Sequence, residues 1–589
     1  MNLVPFPSSK YQESINFKSK PVESTFIYTN DTHGTISAFP NLISGVCTTQ
    51  SLLSKKNPLT LSSGDELLYW NTLNRPLENK RRNMLVEFLN MMNFDALTIG
   101  NHELDSGVSS LASVLKNAKF KTVSANVKYQ NTQLDQIHKS GKFTESTIIK
   151  NKDGEKYGII GIAPIDEFSS EISGDTKDFI AGIPIDYGQP DSEIQKRINS
   201  RYDVTMNAVS RQVKALEEKG VNKIVLLSHL GYVRDKEIVN DPRINGVDVI
   251  LGGHSHDKLE GFVDSNDESN NFQNVFQTPE GRPIVVTQAG CNAEYFGVLN
   301  LFFDKNGIIE TEKSGKIKGQ NTLFKSADFR VTPSISHKID SIMKKVFDGT
   351  PEIGIVKNPI VPVTSRDREN VLLTTTLDAF LTLAKEKGTE DINNLDFAMI
   401  NSSTVRASIP KGKLNEGVLS LSFAFVAPMS KVDASEKQIV DVIKYSLESG
   451  NKKGKYDIPQ FSSGIKYQMF ESVSKEGKKH LELSGLEING EQIDIDHPSE
   501  KKKFKAAVRE IFTDTKYYGD AFKQQDGEEV PRCCDNNGKP LDYMSGLADF
   551  LRTNSKSSKN KEIHIDMTQR NIEVKQSPVS FCGRLSLVG

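Results

Sequence analysis

Residues 94–107 read FDALTIGNHELDSG, an apolar run that ends in a turn crowded with groups that can titrate or bind metal. Turns are normally built from Gly, Ser, Pro or Asn, whose backbone or side chain suits the bend. Here Asn101 and His102 directly follow the apolar run, and Asp105 lies three positions after the histidine. This unusual turn predicts that the chemistry of the protein lies where strands end.

Four other apolar runs in the first half of the chain also end in polar or glycine residues. Segments with helical spacing separate them: residues 81–92 place Met84, Leu85, Phe88, Leu89 and Met92 on one face, and residues 205–220 repeat the pattern. The alternation of short strands and amphipathic helices predicts an α/β domain. The five runs are TFIYTND (25–31), PLTLSSGD (58–65), FDALTIGNH (94–102), KIVLLSHLG (223–231) and VDVILGGHSH (247–256).

The five runs share one property, which is that metal-binding residue types stand at their ends. In open α/β sheets, ligands bind beyond the carboxyl ends of the strands. Carboxylates, an amide oxygen and imidazoles together suit Mn, Zn, Co or Fe(II) better than Ca. The candidate ligands, in chain order, are Asp31, His33, Asp65, Asn101, His229, His254 and His256.

Seven candidate ligands exceed the four that a single tetrahedral ion takes. Two divalent ions about 3.5–4 Å apart, bridged by a shared carboxylate, would use all of them. Asp65 is the natural bridge because it stands alone on its loop. The sequence therefore predicts a dinuclear metal site.

Composition and other motifs exclude several classes of function. The chain has 589 residues, 25% of them charged, and a net charge of −2, which does not indicate a nucleic-acid partner. The spacing of a zinc protease, a Walker A loop and a dinucleotide-binding glycine pattern are all missing. The five cysteines are odd in number and include the neighbours Cys533 and Cys534, so we expect reduced thiols rather than a disulfide framework.

The length predicts at least two domains. We expect an N-terminal segment (1–21), a catalytic domain (22–310), a linker with a bridging helix (311–355), a second α+β domain (356–575) and a tail (576–589). The helix is predicted from SISHKIDSIMKKVFDG, which places Ile335, Ile339, Ile342, Met343 and Val346 on one face. No apolar stretch has the length of a signal-peptide core or a membrane span, so we expect a cytoplasmic protein or export without an N-terminal signal.

The ordered motifs TNDTHG, SSGD, GNHELD, SHLG and GGHSHD resemble those of the calcineurin-like metallophosphoesterases. Within that group they resemble the 5′-nucleotidase family, which includes UDP-sugar hydrolases and ecto-5′-nucleotidases and usually works in the periplasm or outside the cell. The resemblance covers about residues 22–305. It implies a four-layer α/β/β/α sandwich, followed by a linker helix and a C-terminal substrate-binding domain.

The resemblance also assigns the ligands to two ions. It implies that Asp31, His33, Asp65 and His256 hold one ion, and that Asp65, Asn101, His229 and His254 hold the other. His102 is then the catalytic histidine, oriented by Asp105, while Glu103 is expected to be a bystander. In the expected mechanism, a metal-bridging hydroxide attacks phosphorus, and the ions and His102 stabilise the charge that develops.

The second region resembles the family's nucleoside-binding domain in several segments. INSSTVRASIPKG (400–412) and SRDREN (365–370) match segments that supply an asparagine and arginines, and guanidinium groups can clamp a phosphate or carboxylate. The family's Pro-Phe-Gly-Asn reads AFVA (424–427), which keeps a phenylalanine but lacks the base-reading amide. The implied substrate-binding residues are Arg366, Asn401, Arg406, Phe425, Phe512 and Asp520.

The sequence thus predicts a metal-dependent hydrolase that releases phosphate from nucleotides or similar phosphomonoesters. Its expected partners are a small-molecule nucleotide and two divalent ions, without nucleic acid or a membrane span. Two alternatives stay open at this point. The same site could serve a phosphodiesterase or nucleotide-sugar pyrophosphatase, or the fold could belong to a catalytically silent binding protein.

Overall fold

The structure is a computed structural model of the chain. It divides into two compact units: the first comprises Met1–Tyr69 and Glu78–Val346, and the second comprises Trp70–Leu77 and Phe347–Gly589. The structure describes residues 21–67, 75–105, 107–166, 179–183, 185, 190–267, 270, 272–361, 366–405, 407–423, 426–454, 456–474, 479–513, 522, 530–558, 560–568 and 570–576.

The first unit contains a seven-stranded sheet that begins with the chain's first apolar run. Strands β1 to β5 lie side by side and parallel, and β12 and β13 pair antiparallel on the other side of β1. Its strands are β1 (Val22–Thr29), β2 (Leu59–Ser62), β3 (Ala96–Thr98), β4 (Lys121–Val123), β5 (Phe143–Thr144), β12 (Tyr295–Phe303) and β13 (Gly319–Lys325).

A six-stranded sheet is the second layer of this unit. Its central strands β7, β8, β9 and β11 run parallel, and β6 and β10 pair antiparallel at the two edges. The strands are β6 (Ser146–Lys150), β7 (Lys156–Ile162), β8 (Ile224–Ser228), β9 (Val249–Gly252), β10 (Val275–Gln277) and β11 (Pro283–Thr287).

The two sheets pack face to face around one apolar core. This core joins Phe26 and Leu61 of the first sheet to Tyr157, Val225 and Leu251 of the second. Helices cover the other faces: α1 contacts β12, while α5 contacts β7 and α6 contacts β9 and β11. The helices of this unit are α1 (Phe39–Leu52), α2 (Arg75–Met91), α3 (Gly107–Leu115), α4 (Leu134–Lys139), α5 (Asp191–Glu217), α6 (Tyr232–Val239) and α7 (Pro333–Phe347).

The predicted α/β class with a second domain is confirmed, and each of the five apolar runs forms a parallel strand. Parallel strands covered on both faces are expected to be apolar throughout, and β8 and β9 are fully buried. One boundary differs from the expectation. Strand β13 extends the first sheet to Lys325, past residue 310, because β12 has a free edge on which the following chain can pair. The other predicted domain limits stay predictions.

The second unit is a mixed α/β body with two four-stranded sheets and one two-stranded sheet. One four-stranded sheet has the order β17-β22-β15-β18 and the other the order β21-β20-β19-β23, while β14 pairs with β16. The strands are β14 (Glu352–Val356), β15 (Phe397–Asn401), β16 (Gly412–Asn415), β17 (Met429–Ser435), β18 (Pro459–Phe461), β19 (Ile465–Val473), β20 (Lys479–Ile488), β21 (Glu491–Ile493), β22 (Lys503–Arg509) and β23 (Ile572–Gln576).

The described part of the second unit also contains four helices. Helix α10 begins with a capping box in which Ser435 and Gln438 exchange hydrogen bonds, and it ends at Gly454 in the left-handed conformation. Helices α8 and α11 pack against each other. The four are α8 (Val371–Lys387), α9 (Glu416–Ser420), α10 (Glu436–Lys453) and α11 (Tyr543–Ser557).

Short 3₁₀ turns connect several of these elements in both units. The described cysteines Cys47, Cys291, Cys533 and Cys534 carry free thiols. None of the helices in the described part of the chain combines the length and the hydropathy that crossing a bilayer requires. The 3₁₀ turns are Ser54–Lys56, His102–Leu104, Pro242–Ile244, Ser326–Asp328, Ser402–Thr404 and Glu510–Phe512.

Candidate metal centre

The seven predicted ligands all follow the carboxyl ends of strands, three strands from one sheet and two from the other. The loops after β1, β2 and β3 supply Asp31, His33, Asp65 and Asn101, and the loops after β8 and β9 supply three histidines. Five of the seven have a left-handed backbone, which costs about 1 kcal/mol or more for a residue with a side chain. The five are Asp31 (φ 51°), His33 (φ 49°), Asp65 (φ 56°), His254 (φ 74°) and His256 (φ 63°).

Hydrogen bonds join the loops of the two sheets at this edge. The backbone N–H of His254, after β9, donates to Asp31 Oδ2 after β1 at 2.9 Å. His229 Nδ1, after β8, lies 2.5 Å from the carbonyl oxygen of Ser63 after β2. His254 Nδ1 lies 2.9 Å from Asn101 Oδ1, a separation that also suits neighbouring ligands of one ion with bonds of about 2.1 Å. The site is therefore built by both sheets.

The ligand atoms form three overlapping groups in which all atoms lie within 4.8 Å of one another. Asp65 belongs to two of these groups, and its Oδ2 lies 3.6 Å from His33 Nε2 and 3.1 Å from His229 Nε2. One carboxylate oxygen therefore faces a predicted ligand of each ion. The groups are Asp31 with His33 and His256, His33 with Asp65 and His102, and Asp65 with His229 and His254.

Two buried atoms at the centre show that the residues fit divalent ions. Asp31 Oδ1 and His229 Nε2 are buried, and their neighbours in the described chain are not aligned to form a well-directed hydrogen bond with them. Such orphaned polar atoms are costly unless something else binds them. Asp31 Oδ1 lies 3.4 Å from His256 Nε2, close to the spacing of two ligands around one ion.

Two of the ligand histidines are oriented by oxygens outside the centre. Asn292 Oδ1 lies 3.2 Å from His33 Nδ1, and the carbonyl of Ser63 lies next to His229 Nδ1. An oxygen acceptor at Nδ1 requires the proton there and leaves Nε2 for the metal. Sequence reasoning missed Asn292, since nothing in TQAGCNAEYF distinguishes an orienting asparagine from an ordinary turn residue.

His102 lies beside the predicted ligands His33 and Asp65. Its Nδ1 lies 2.7 Å from Asp105 Oδ2, and its side chain is 23% exposed. Its other partners in space are His33 and Asp65, so geometry alone would also admit His102 as a ligand. Burial lowers the pKa of His102, but the neighbouring carboxylates Asp105 and Asp65 outweigh it and raise that pKa to about 9. A cationic imidazole beside Asp105 can stabilise a phosphoryl oxygen that gains negative charge.

The carboxylates and histidines also set each other's charge. Burial would raise the pKa of Asp65, yet His229 and His102 hold it well below its usual range. Burial likewise lowers the pKa of His229, but Asp65 and Asp31 raise it to about 10. Burial also lowers the pKa of His256, but its interactions with Asp31 and Cys291 together outweigh burial and raise that pKa to about 10. Without metal, the centre is therefore neutralised by protons on its histidines.

We expect metal binding to release protons. Histidine must be neutral to bind a metal, and the pKa values of His229 and His256 lie above neutral pH in the metal-free protein. At pH 7, loading should therefore release about two protons, and metal affinity should rise with pH up to the pKa values of these histidines. Calorimetry in two buffers with different ionisation enthalpies counts the protons.

Matched variants assign the released protons to residues. His256→Gln should release about one proton fewer than the wild type. His138→Gln is the control because His138 stacks on Tyr129 at 4.1 Å, apart from the metal ligands, and it should release the wild-type number. Metal binding with no proton release would contradict the charges assigned to the centre.

Two buried glutamates hold the loops from behind, and sequence reasoning missed both. The expectation that Glu103 is a bystander is wrong, because its side chain is 1% exposed and accepts backbone hydrogen bonds from two ligand-bearing loops. Glu66 accepts from the hydroxyls of Thr29 at 2.9 Å and Ser62 at 2.5 Å, and from that of Thr32. Burial raises the pKa of Glu66 to about 7.

Two of the predicted substrate-binding residues have other roles in the second unit. Phe512 is fully buried in an apolar core with Phe461 and Tyr467, so it is a packing residue and not a stacking surface. Asn401 is 1% exposed, and its amide donates to Ser403 at 2.6 Å and Asp457 at 2.7 Å.

The carbonyl of Asn401 is also fully used, since it accepts from Thr404 at 3.0 Å and Arg509 at 2.7 Å. The structure therefore gives Asn401 a supporting role in place of the predicted substrate contact. Arg366 is half-buried in the loop before α8, and the neighbouring Arg368 pairs with Glu471 at 3.3 Å. The remaining predicted residues, Arg406, Phe425 and Asp520, lie outside the described residues.

Comparison with known proteins agrees with this site. Residues 24–258 match the calcineurin-like phosphoesterase family. The chain is 26% identical over 514 residues to the trifunctional nucleotide phosphoesterase YfkN of Bacillus subtilis, a match that covers 80% of this chain but 30% of YfkN. It is also 26% identical over 493 residues to the snake venom 5′-nucleotidase of Naja atra, covering 79% of this chain and 81% of that protein.

A solved structure shows that the fold is shared over nearly the whole chain. The 5′-nucleotidase precursor of Thermus thermophilus superposes with a TM-score of 0.57 at 23% identity, covering 94% of this chain and all of that one. The family match lies on the domain that carries the seven predicted ligands, and the matches to 5′-nucleotidases run beyond it. Residues 24–258 therefore match a calcineurin-like phosphoesterase domain, and the chain is similar to 5′-nucleotidases over most of its length.

Proposed function

We propose that the protein hydrolyses nucleotides or nucleotide-like phosphomonoesters with two divalent ions held at the strand ends. The observation that carries this proposal is the overlap of the ligand groups at Asp65, whose Oδ2 faces both His33 and His229. A carboxylate in that position suits a bridge between two ions. The names of the relatives, nucleotide phosphoesterase and 5′-nucleotidase, support a nucleotide as the substrate.

The residues of the chain divide the proposed work between them. Asp31, His33, Asp65 and His256 would hold one ion, and Asp65, Asn101, His229 and His254 the other. When bound, such ions supply an acidified water and neutralise phosphoryl charge. His102, held by Asp105, would donate to a phosphoryl oxygen and stabilise its growing charge.

The substrate contacts of the second unit belong to the same proposal. Arg366 would contribute a guanidinium group for a phosphate or carboxylate, as would Arg406, which lies outside the described residues. Phe425 and Asp520, also outside them, would contribute to the nucleoside site.

A substrate panel tests the proposal. The metal-free protein would be loaded with Mn, Zn or Co and offered nucleoside 5′-monophosphates, cyclic nucleotides, nucleotide sugars and an aryl phosphate. We expect nucleoside 5′-monophosphates to be hydrolysed with a kcat/KM at least about tenfold above that of the aryl phosphate, because binding of the nucleoside lowers the barrier. Phosphate release and metal content are the measurements.

The other outcomes decide between the alternatives. Preference for cyclic nucleotides or for the pyrophosphate bond of nucleotide sugars would replace the proposal by a phosphodiesterase or pyrophosphatase. Failure to bind metal, together with no turnover of any substrate, would indicate a silent binding protein.

A further inference from the structure

Glu103 lies between two of the loops that carry the metal ligands, and its carboxylate is saturated by backbone donors. Its Oε2 accepts from the N–H of Asp65 at 2.9 Å and of Gly100 at 2.7 Å. Its Oε1 accepts from the N–H of Glu66 at 2.8 Å and of Leu67 at 2.9 Å. The side chain is 1% exposed and contacts the backbone of the ligand loops, so it supports these loops from the protein interior.

Three of these four donors are consecutive residues of the loop after β2. Consecutive N–H groups that converge on one anion form a concave nest, which requires some residues in the left-handed region. Asp65 has that conformation, with φ 56°. Without Glu103 the three N–H groups would be buried and unpaired, a cost of about 1–3 kcal/mol for each group. The carboxylate therefore stabilises the loop conformation that turns the Asp65 side chain towards the centre.

The same two loops are also bonded in the opposite direction. The backbone N–H of His102 donates to Asp65 Oδ1 at 2.8 Å, which leaves Oδ2 to face His33 and His229. A Cβ on Gly100 would lie 2.2 Å from Asp65 Oδ1, so the loops approach too closely for a side chain there. The side chain of Glu103 thus fixes the backbone of the Asp65 loop, and the side chain of Asp65 fixes the backbone of the loop that carries His102.

Helix α2 holds Glu103 itself in place. Arg82, which is fully buried, donates from Nη2 to the carbonyl oxygen of Glu103 at 2.6 Å. Its neighbour Arg81 donates from Nη2 to the carbonyl oxygen of Gly34, in the loop that carries His33, at 3.2 Å. Adjacent arginines of one helix therefore anchor two of the three ligand loops of the first sheet.

We propose that Glu103 is a positioning residue for the metal centre: it sets the loop of the bridging carboxylate Asp65 against the loop of Asn101 and His102 before any ion binds. This inference rests on the proposed two-metal function. It assigns to Glu103 no contact with substrate or metal. Its effect is transmitted through the backbone of Asp65 and Gly100.

The test compares metal binding in Glu103→Gln and a matched control. Glutamine keeps the size of the side chain but turns an NH₂ group towards backbone N–H donors, so at least two of the bonds are lost. We expect metal affinity to fall by about 10–100-fold, the usual effect of losing a residue that orients ligands. Chelator competition measures the affinity, and the visible spectrum of the Co-loaded protein reports the ligand geometry.

Asp248→Asn is the control because Asp248 resembles Glu103 but lies at the other end of a strand. It is 1% exposed and accepts from the N–H of Ile224 at 2.8 Å and from Arg282 at 2.9 Å, just before β9 begins. Its loss should lower the unfolding temperature without changing metal affinity or the Co spectrum. Wild-type metal affinity in Glu103→Gln, despite a similar loss of unfolding temperature, would overturn the proposal.

Hydrogen exchange of the wild type gives a second test that needs no variant. If Glu103 sets the loops in advance, the amides of Asp65, Glu66, Leu67 and Gly100 are protected in the metal-free protein, and added Mn or Co changes them little. Protection that appears only with metal would overturn the inference even if Glu103→Gln does not fold. Failure of the wild type to bind metal would instead refute the proposed function.

Discussion

Asp65→Asn is expected to abolish hydrolysis and to remove most of the bound metal. Asparagine is nearly isosteric with aspartate and is, after glycine, among the residues that best tolerate a left-handed backbone. The loop conformation at φ 56° should therefore survive, and the change removes only the charge and one oxygen. This separates the electrostatic role of Asp65 from its structural one.

The expected size of the effect follows from the position of the carboxylate. Its Oδ2 faces His33 at 3.6 Å and His229 at 3.1 Å, so both predicted ions lose a ligand and a negative charge at once. We expect kcat/KM to fall by at least about 10³-fold, which corresponds to about 4 kcal/mol of transition-state stabilisation. Measured metal content should fall from two equivalents to one or fewer.

Asp248→Asn again serves as the control for a buried aspartate replaced by asparagine in the same unit. It should keep both metal equivalents and wild-type activity at a temperature well below unfolding. An Asp65→Asn variant that keeps two equivalents and more than about a tenth of the activity would rule out Asp65 as the bridge.

His102→Ala is expected to lower kcat by about 10²–10⁴-fold while leaving metal content unchanged. The reason is that His102, paired with Asp105 at 2.7 Å, is assigned to the phosphoryl group rather than to an ion. Its stabilisation is needed mainly in the transition state, so kcat should fall far more than KM rises. Steady-state kinetics on a nucleotide and on an aryl phosphate, together with metal analysis, measures these effects.

Companion variants sharpen this result. Asp105→Asn should lower kcat by a smaller factor, since it removes the charge beside the imidazole but not the imidazole itself. His138→Gln, at a surface histidine, should leave kcat unchanged. Loss of a metal equivalent in His102→Ala would show instead that His102 is a ligand, as its grouping with His33 and Asp65 also permits.

The sequence predicted the strands and placed the candidate ligands at their ends because the signals for both are local. A run such as KIVLLS is apolar throughout because a parallel strand is buried on both faces, and β8 follows it closely at Ile224–Ser228. His229 comes directly after that strand, where ligands of α/β sheets gather. The identity of these residues restricts the chemistry before any fold is known.

Long-range partners were not predictable in the same way. Glu103 was expected to be a bystander, yet its oxygens accept from donors 36 to 38 positions earlier in the chain. Asn292 reaches His33 across 259 positions. No local sequence pattern identifies such contacts, because a polar residue in a turn can equally well form its hydrogen bonds with solvent.

In the second unit, by contrast, resemblance to a known motif predicted a substrate-binding role for residues that have a structural one. Asn401 stands in a segment that resembles a substrate-binding one, but its amide and carbonyl are fully used by Ser403, Asp457, Thr404 and Arg509. Phe512 lies in the apolar core, because burying a large aromatic side chain stabilises the fold. Position in a motif does not reveal whether a side chain faces its own core or a ligand.

The sequence by itself determined which groups are available for chemistry and that they stand at strand ends. Only the tertiary structure decided that they form one centre, because three of the five loops belong to one sheet and two to the other. Packing of the two sheets around a shared apolar core brings their carboxyl ends together, as the contact of His254 with Asp31, 223 positions apart, shows. The hydrophobic effect that buries both sheets is non-directional, so loop hydrogen bonds such as those of Glu103 then fix where each ligand points.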